Sequence, residues 1–462
     1  MKFNPLKNYL SIDEAKEIRK KLLIIALPAI GENILQMLLQ VADTAFLGHY
    51  DWRLISGVGA ANQIVFIFQA VLIAISIGSM VFISNSIGTK NKSLTKEIAW
   101  LSIYLSAFSA IILTSVVLLS NNLIIWFFPG AEEYVQESAQ EYLTIILAGI
   151  SGLSFMVIIS ATLRGAGDTK SPMLMALIAN AINIFLDYVL IYGKLGFPEM
   201  GVKGAAYATV FSRIVGSVIL IILLFKNKKI SLNLKPIKSS WKRIKSLLSV
   251  GLPIAIERLS FSVGVLVFAN ILLYAGAKAY AAHRIGIRVE SIAFMPELGL
   301  MVAVTALVGN YNGKGLINKV IGTLRQGWII GIIMGAIMGA VFFIFPEALI
   351  RIFTDELEII QIASLPVKII GLFQIVQAID FVASGALRGV GDTRFPMLSS
   401  MLAMWLIRIP IGFALVRFFG MGLLGAWIGM MGDMVFRSML KVFRILRGRW
   451  EKTAEKIRAE AS

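Results

Sequence analysis

The sequence predicts an all-α membrane protein with twelve transmembrane helices, forming two six-helix bundles related by pseudo-two-fold symmetry. Hydrophobic residues make up 57% of the 462 residues and charged residues only 15%, whereas soluble chains carry about 25% charged residues. The apolar residues come in runs of about 20 or more, the length that crosses a bilayer. Short sequence landmarks of the first half also recur in the second half, so an internal duplication is predicted.

Twelve apolar segments have the length of a transmembrane helix. We place them at 21–47, 57–86, 97–119, 138–163, 171–193, 203–225, 246–275, 281–308, 319–345, 358–387, 395–417 and 421–446. The predicted organisation is an N-terminal half (1–225), a basic cytoplasmic linker (226–245), a C-terminal half (246–446) and a cytoplasmic tail (447–462). Because the polar start precedes an apolar run too long for a signal sequence, we expect no cleaved signal peptide.

The basic residues sort by loop side. With the N-terminus inside, Lys and Arg concentrate in alternate loops, above all in 226–245, while the outer loop 120–137 has none. Positive charge marks the cytoplasmic side of a membrane protein, so both termini are predicted to be cytoplasmic. The net charge of +17 therefore does not indicate nucleic-acid binding, which requires one basic patch.

Four landmarks recur in the same order at nearly constant spacing. The sequence LRGxGDTxxPML begins at Leu163 and again at Leu387, and Leu27-Pro28 recurs as Leu252-Pro253. A GxxGA motif and an inner-end glycine motif also occur once in each half, at matching positions. An even number of spans in each half gives both halves the same orientation, which predicts a substrate path between them.

Residue chemistry explains these landmarks without a catalytic role. The glycines of each LRGxGDT loop permit a tight turn, and the following Asp-Thr can cap the next helix, whose first turn contains Pro172 or Pro396. Pro28 and Pro253 lie inside the first and seventh spans, where a proline removes a backbone hydrogen bond and bends the helix. Either bend is a shape feature or a hinge.

Charges inside the spans are candidate functional groups, because each costs about 2.5–3.5 kcal/mol at the bilayer centre on insertion scales. Fifteen residues qualify, too many for all to have a direct role, so some must pair: Glu32, Asp43, Asp187, Arg213, Glu257, Arg258, Arg284, Arg288, Glu290, Glu297, Lys368, Asp380, Arg408, Asp433 and Arg437.

Four polar residues of the first half share one depth. Asp43 lies ~6 Å from the outer end of its span, and Asp187 and Thr209 lie ~9 Å from the outer ends of theirs. Asn183 is one helical turn below Asp187 on the same face. We predict one outer pocket whose hard oxygen ligands suit Na⁺, and whose paired carboxylates suit a proton. The alternative is structural capping or pairing.

The whole set of features resembles the multidrug and toxic compound extrusion (MATE) family. It comprises twelve spans in two halves, the twin LRGxGDT loops, Ala42-Asp43-Thr44 and the Leu-Pro pairs of spans 1 and 7, together with the stretches 281–285, 294–299 and 305–309. The resemblance implies a cation-coupled antiporter that exports amphipathic, often cationic, organic compounds. It also implies an ion site at Asp43, Asn183, Asp187 and Thr209, which would hold Na⁺ in a sodium-coupled protein.

The C-terminal half lacks this set. The repeat offsets map Asp43 to Phe268 and Asp187 to Ile411. One branch of the family uses Glu on span 7 and Asp on span 10, which align here with Phe261 and Gln377. Glu257 and Asp380 lie about one turn away, so we do not transfer that site. We interpret Glu32, Glu257 and Asp380 as secondary acidic positions, with Glu257 expected to pair with one of three arginines: Arg258, Arg284 or Arg288.

These features leave two alternatives to a multidrug antiporter. One is a flippase of lipid-linked saccharides, and the other is a non-transport receptor or channel. No cysteine and only two histidines are present, and no nucleophile–base pair, metal motif or phosphate loop indicates an enzyme. We expect no cofactor besides the coupling ion Na⁺ or H⁺, membrane lipid as a partner, no nucleic acid, and a monomer in the cell inner membrane.

Overall fold

The computed structural model describes residues 10–51, 53–118, 124, 127–128, 130 and 132–462. The first nine residues and the predicted end of the third span at residue 119 lie outside these ranges. The secondary structure of the described residues is entirely helical. The helices are α1 (Ile12–Tyr50), α2 (Leu54–Gly88), α3 (Lys92–Leu118), α4 (Glu133–Ala148), α5 (Ile150–Gly165), α6 (Lys170–Ile191), α7 (Gly201–Lys226), α8 (Trp241–Tyr274), α9 (Ala277–Gly313), α10 (Ile317–Ile344), α11 (Pro346–Arg351), α12 (Leu357–Gly371), α13 (Gln374–Gly389), α14 (Arg394–Leu402), α15 (Ile409–Arg417), α16 (Gly422–Leu446) and α17 (Glu451–Ala461).

The predicted all-helical membrane fold is confirmed, with two corrections to its spans. Nine described helices or helical segments are long and apolar enough to cross a membrane. The predicted spans 138–163 and 358–387 are not continuous, since each is a helix pair bent by 56°. The twelfth predicted span corresponds to α16, whose 25 residues include Asp433, Arg437 and Lys441.

Chain contacts divide the molecule into two compact units. The N-terminal unit is Gly31–Ala255, and the C-terminal unit contains the described chain up to Ile30 together with Ile256–Ser462. Helix α1 is therefore divided close to Pro28, and α8 close to Pro253. These units are defined by contacts in space. The halves 1–225 and 246–446 are defined by the sequence repeat, and that division of the chain stays a prediction.

The N-terminal unit joins its helices through small and hydroxyl side chains. Ser102 donates to Ser79 at 2.9 Å, and Ser109 and Ser154 contact each other at 2.7 Å, linking α3 to α2 and to α5. A Cβ on Gly251 of α8 would lie 1.8 Å from the carbonyl oxygen of Ala74. Such close backbone approach is typical of membrane helices, which gain stability from packing and interhelical hydrogen bonds.

The linker 226–245 is packed on the N-terminal unit. Ile230 and Leu232 are buried, Lys229 Nζ donates to the carbonyl oxygen of Ala166 at 2.8 Å, and Asn227 Nδ2 donates to Asp168 at 3.2 Å. The linker thereby closes over the first LRGxGDT loop, and its last residues already belong to α8.

The tail is an ordered helix rather than the frayed end that its polarity suggests. In the C-terminal unit, Trp450 and Ala454 belong to a buried cluster with Leu387 and Val390, and Asn312 Nδ2 donates to the carbonyl oxygen of Ala454 at 3.1 Å. Helix α17 therefore covers the second LRGxGDT loop.

Candidate functional site

The four predicted pocket residues do lie together, in the N-terminal unit. Asn183 and Asp187 of α6 are completely buried, Thr209 of α7 is 5% exposed, and Asp43 of α1 is half-buried. Helices α6 and α7 can approach because Gly204 has no side chain, and a Cβ there would lie 2.7 Å from the carbonyl oxygen of Leu190.

Asn180 of α6 and Tyr192, the residue that follows α6, hold α1 on either side of Asp43. Asn180 Nδ2 donates to the carbonyl oxygen of Leu35 at 2.7 Å, and the Tyr192 hydroxyl donates to the carbonyl oxygen of Phe46 at 2.9 Å. Leu35 and Phe46 lie on opposite sides of Asp43 along α1, so these bonds fix its position against α6.

Asn183 forms hydrogen bonds with the other three residues of the cluster. In the amide orientation that satisfies its hydrogen bonds, the side-chain nitrogen donates to Asp43 Oδ1 at 3.0 Å and to Asp187 Oδ2 at 3.3 Å. The amide oxygen accepts from the backbone N–H of Thr209 at 3.1 Å. Sharing one donor nitrogen brings the Asp43 and Asp187 carboxyl groups close together. Two carboxyl groups this close favour one proton between them, because two adjacent like charges repel.

Two further residues belong to this cluster, and sequence reasoning did not place them there. Tyr142 of α4 is buried and lies close enough to Thr209, Asp43, Asp187 and Arg213 to interact with them electrostatically. Arg213 follows Thr209 by one turn of α7. Arg213 was recognisable as an intramembrane charge, whereas nothing in the sequence around Tyr142 separates it from an ordinary tyrosine of a membrane helix.

Glu32 and Glu257 form matching ion pairs in the two units. Arg164 Nη1 lies 3.0 Å from both oxygens of Glu32, and Arg388 Nη2 lies 3.0 Å from Glu257 Oε2. Ser400 also donates to Glu257 at 2.8 Å. The partner in each case is the arginine of the LRGxGDT motif, rather than Arg258, Arg284 or Arg288 as proposed for Glu257 from sequence.

Asp380 is neutralised by two cations of α16. Its carboxylate lies 2.8 Å from Lys441 Nζ and 3.4 Å from Arg437 Nε. Arg408, in a π-helical turn at Ala403–Arg408, pairs with Asp433 at 3.1 Å. These buried pairs account for most of the intramembrane carboxylates of the C-terminal unit.

The donor set of the N-terminal cluster suits a small cation better than a transition metal. Among the described residues, no three His, Cys, Asp or Glu side chains are grouped so that they could hold a metal ion. The cluster instead offers two carboxylates, an amide and a hydroxyl. Oxygen ligands of this kind accept a proton or a hard cation such as Na⁺.

Comparison with known proteins gives a consistent set of relatives. The MatE family model matches twice, at residues 28–189 and 253–414, and the two matches begin at Pro28 and Pro253, the prolines of the repeated Leu-Pro landmark. The chain is 52% identical over 454 residues to a probable multidrug resistance protein NorM of Thermotoga maritima, covering 98% of each. It is 27% identical to the uncharacterized transporter YisQ of Bacillus subtilis over 91% of this chain and 92% of that protein.

Solved structures share the fold at lower identity. A MATE crystal structure in complex with MaL6 superposes with a TM-score of 0.88 at 23% identity, covering 98% of both chains. An outward-facing multidrug resistance MATE transporter of the MOP superfamily gives 0.87, also at 23% identity, over 96% of this chain and 99% of that one. These similarities confirm the predicted fold class.

Proposed function

This chain belongs to the MatE family of multidrug efflux transporters, and we propose that it exports small organic compounds in exchange for protons bound at the Asp43–Asp187 pair. Its relatives are transporters rather than enzymes, and its multi-pass helical fold agrees with that role. The observation that supports proton coupling is the placement of both carboxyl groups on the single donor nitrogen of Asn183, close enough for one proton to relieve their repulsion. We further propose a cell inner membrane location with both termini in the cytoplasm, on the strength of the loop charges.

The position of the pair on two helices provides a means of coupling. Asp43 lies on α1, whereas Asp187 and Asn183 lie on α6. With one proton on the pair, the two carboxyl groups can stay close together on the amide of Asn183. Loss of that proton leaves two like charges in contact, and the resulting repulsion weakens the attachment of α1 to α6. A proton therefore changes the relative stability of two arrangements of α1, which is the requirement for coupling.

The test is dye efflux by the full chain in proteoliposomes, with proton and sodium gradients imposed separately. We expect the proton gradient to drive efflux, and Asp43→Asn and Asp187→Asn each to abolish the gradient-driven component while the purified protein remains folded. Asp51→Asn is the matched control, because Arg53 holds the pKa of Asp51 at about 2 and this loop carboxylate keeps its charge at every assay pH.

The outcomes separate the alternatives. If the sodium gradient alone drives efflux, the coupling ion at these four residues is Na⁺ and not a proton. Wild-type efflux by Asp43→Asn would reject the site.

A further inference from the structure

Helix α9 of the C-terminal unit carries two arginines that take no part in the ion pairs described above. Arg284 and Arg288 are both exposed, and neither lies within ion-pair distance of a carboxylate in the described part of the chain. The nearby acid of the same helix, Glu290, lies instead within the electrostatic reach of Arg408 and Arg437. The two arginines therefore present uncompensated positive charge.

Both arginines lie within a membrane-crossing helix. Ala277–Gly313 is long and apolar enough to cross a membrane, and Arg284 and Arg288 lie ~5 and ~11 Å inside the predicted span that begins at residue 281. Their spacing of four residues places them on one face, one turn apart. A guanidinium at this depth is unfavourable in lipid, so such residues face a bundle interior or a water-filled cavity.

The surroundings of these arginines favour water over lipid. The stripe that they define continues at the same helical spacing to Ser291 and Met295, which are partly exposed. By contrast, the neighbouring helix α10 exposes isoleucines, among them Ile333 and Ile337, as expected of a lipid-facing surface. Helix α9 therefore presents a polar, cationic stripe that ends at apolar Met295 and is flanked by apolar Ile287.

We infer that this stripe binds the negatively charged group of an amphipathic substrate, with Arg284 and Arg288 as its ligands. A guanidinium binds a carboxylate, sulfonate or phosphate through paired charge-assisted hydrogen bonds, and two of them one turn apart can hold the same group. The apolar part of the substrate contacts Ile287 and Met295. This inference rests on the proposed export function and gives its substrate a charge opposite to the cationic one that the family resemblance implies.

The test measures binding without any ion gradient, so that it is independent of coupling. The full chain in detergent is titrated with a sulfonated fluorescent dye and with a cationic dye of similar size. We expect Arg284→Gln and Arg288→Gln each to raise the Kd of the sulfonated dye about ten-fold or more, the usual effect of losing a charged hydrogen bond. Arg417→Gln, an exposed arginine at the end of α15, should leave this Kd unchanged.

Two results would overturn the inference. One is that the protein prefers the cationic dye and that neither α9 variant changes its affinity. The other is that the variants alter the response of transport to anionic phosphatidylglycerol, relative to phosphatidylcholine, while dye affinity is unchanged, because the stripe would then hold a lipid headgroup. Because dye binding is measured without a gradient, a wild-type protein that binds the sulfonated dye but shows no gradient-driven efflux would contradict the ion coupling alone, whereas one that does not bind this dye would contradict this site.

Discussion

Glu32 and Glu257 occupy equivalent positions in the two repeats, and each is held by the arginine that opens the LRGxGDT loop of its own unit. The Arg164–Glu32 contact involves both carboxylate oxygens, and the Glu32 side chain is only 3% exposed. The motif is therefore more than a tight turn, since its arginine fixes the loop to the first or seventh span.

Removing one member of this pair should destabilise the N-terminal unit. Glu32→Gln leaves the Arg164 guanidinium without its counter-charge, and breaking a buried ion pair from one side costs about 3–5 kcal/mol. We expect a lower Tm of the purified protein in detergent for Glu32→Gln. The double variant Glu32→Gln/Arg164→Gln should recover part of the loss, because no charge is then left unpaired.

Glu17→Gln is the control, since Glu17 forms an exposed pair with Lys21 in the first turns of α1 and exposed pairs contribute little. An unchanged Tm in Glu32→Gln would show that the buried pair does not stabilise the unit.

The ion pairs show what sequence reasoning could and could not reach at the residue scale. Depth and same-face spacing were enough to bring Asp43, Asn183, Asp187 and Thr209 together, because all four lie on regular helices. The partner of Glu32 could not be predicted, because Arg164 is remote from Glu32 in the sequence. Only the packing of α1 against the end of α5 selects this arginine over other cations.

The bent fourth span shows how one glycine positions a whole element. The bend lies at Gly149, between α4 and α5, and a Cβ there would lie 2.2 Å from Val210 Cγ1. Val210 adjoins Thr209 of the ion cluster. The missing side chain thus allows the bend to pack against α7 next to the site.

Filling this contact should disturb both packing and coupling. Gly149→Ala forces α4 away from α7, and overpacking of this kind typically costs about 1–3 kcal/mol. We expect a lower Tm and reduced gradient-driven efflux. Val210→Ala introduced together with Gly149→Ala should restore part of both, because it removes the two Val210 methyl groups nearest to the added Cβ and leaves only Val210 Cβ, at 2.9 Å.

Gly59→Ala provides the comparison, because nothing lies within 4 Å of a Cβ at Gly59 of α2. A Gly149→Ala protein with the same Tm and efflux as Gly59→Ala would contradict the proposed importance of the contact.

At the scale of elements, hydropathy predicted where apolar helices lie but not how each is interrupted. Gly149 is surrounded by apolar residues, so hydropathy continues across the 56° bend. Average polarity likewise failed to predict that the tail forms an ordered helix. Helix α17 is polar on average, yet Ala454 and Ile457 are buried because they share one face, a pattern that average polarity conceals.

The two compact units do not follow the order of the chain. The start of α1 belongs to the C-terminal unit, and the start of α8 belongs to the N-terminal unit. The start of α8 packs tightly on α2 of the N-terminal unit, since a Cβ on Gly78 of α2 would lie 2.5 Å from the carbonyl oxygen of Leu247. The repeat alone could not predict this exchange, because duplication specifies which segments are related and not which ones pack together.

Splitting the chain within the linker should therefore yield two interdependent fragments. Residues 1–234 lack the α8 segment that completes the N-terminal unit, and residues 235–462 lack the α1 segment that completes the C-terminal unit. We expect each fragment alone to be degraded and the co-expressed pair to accumulate, co-purify and transport dye. A stable, protease-resistant 1–234 fragment on its own would show that the exchanged segments are dispensable.

Because α1 and α8 are each divided between the two units, neither unit can complete its packing until a late segment of the chain has been synthesised. The N-terminal unit lacks part of its packing until the ribosome has passed Ala255, although α7, which corresponds to the sixth predicted span, ends at Lys226. The first turns of α1 wait longer still, since the rest of their unit begins only at Ile256. At about 5–20 residues per second, the ribosome needs roughly 10–45 s to pass from Ile30 to Ile256. During that interval the segment before Pro28 is available to chaperones, the insertion machinery and proteases.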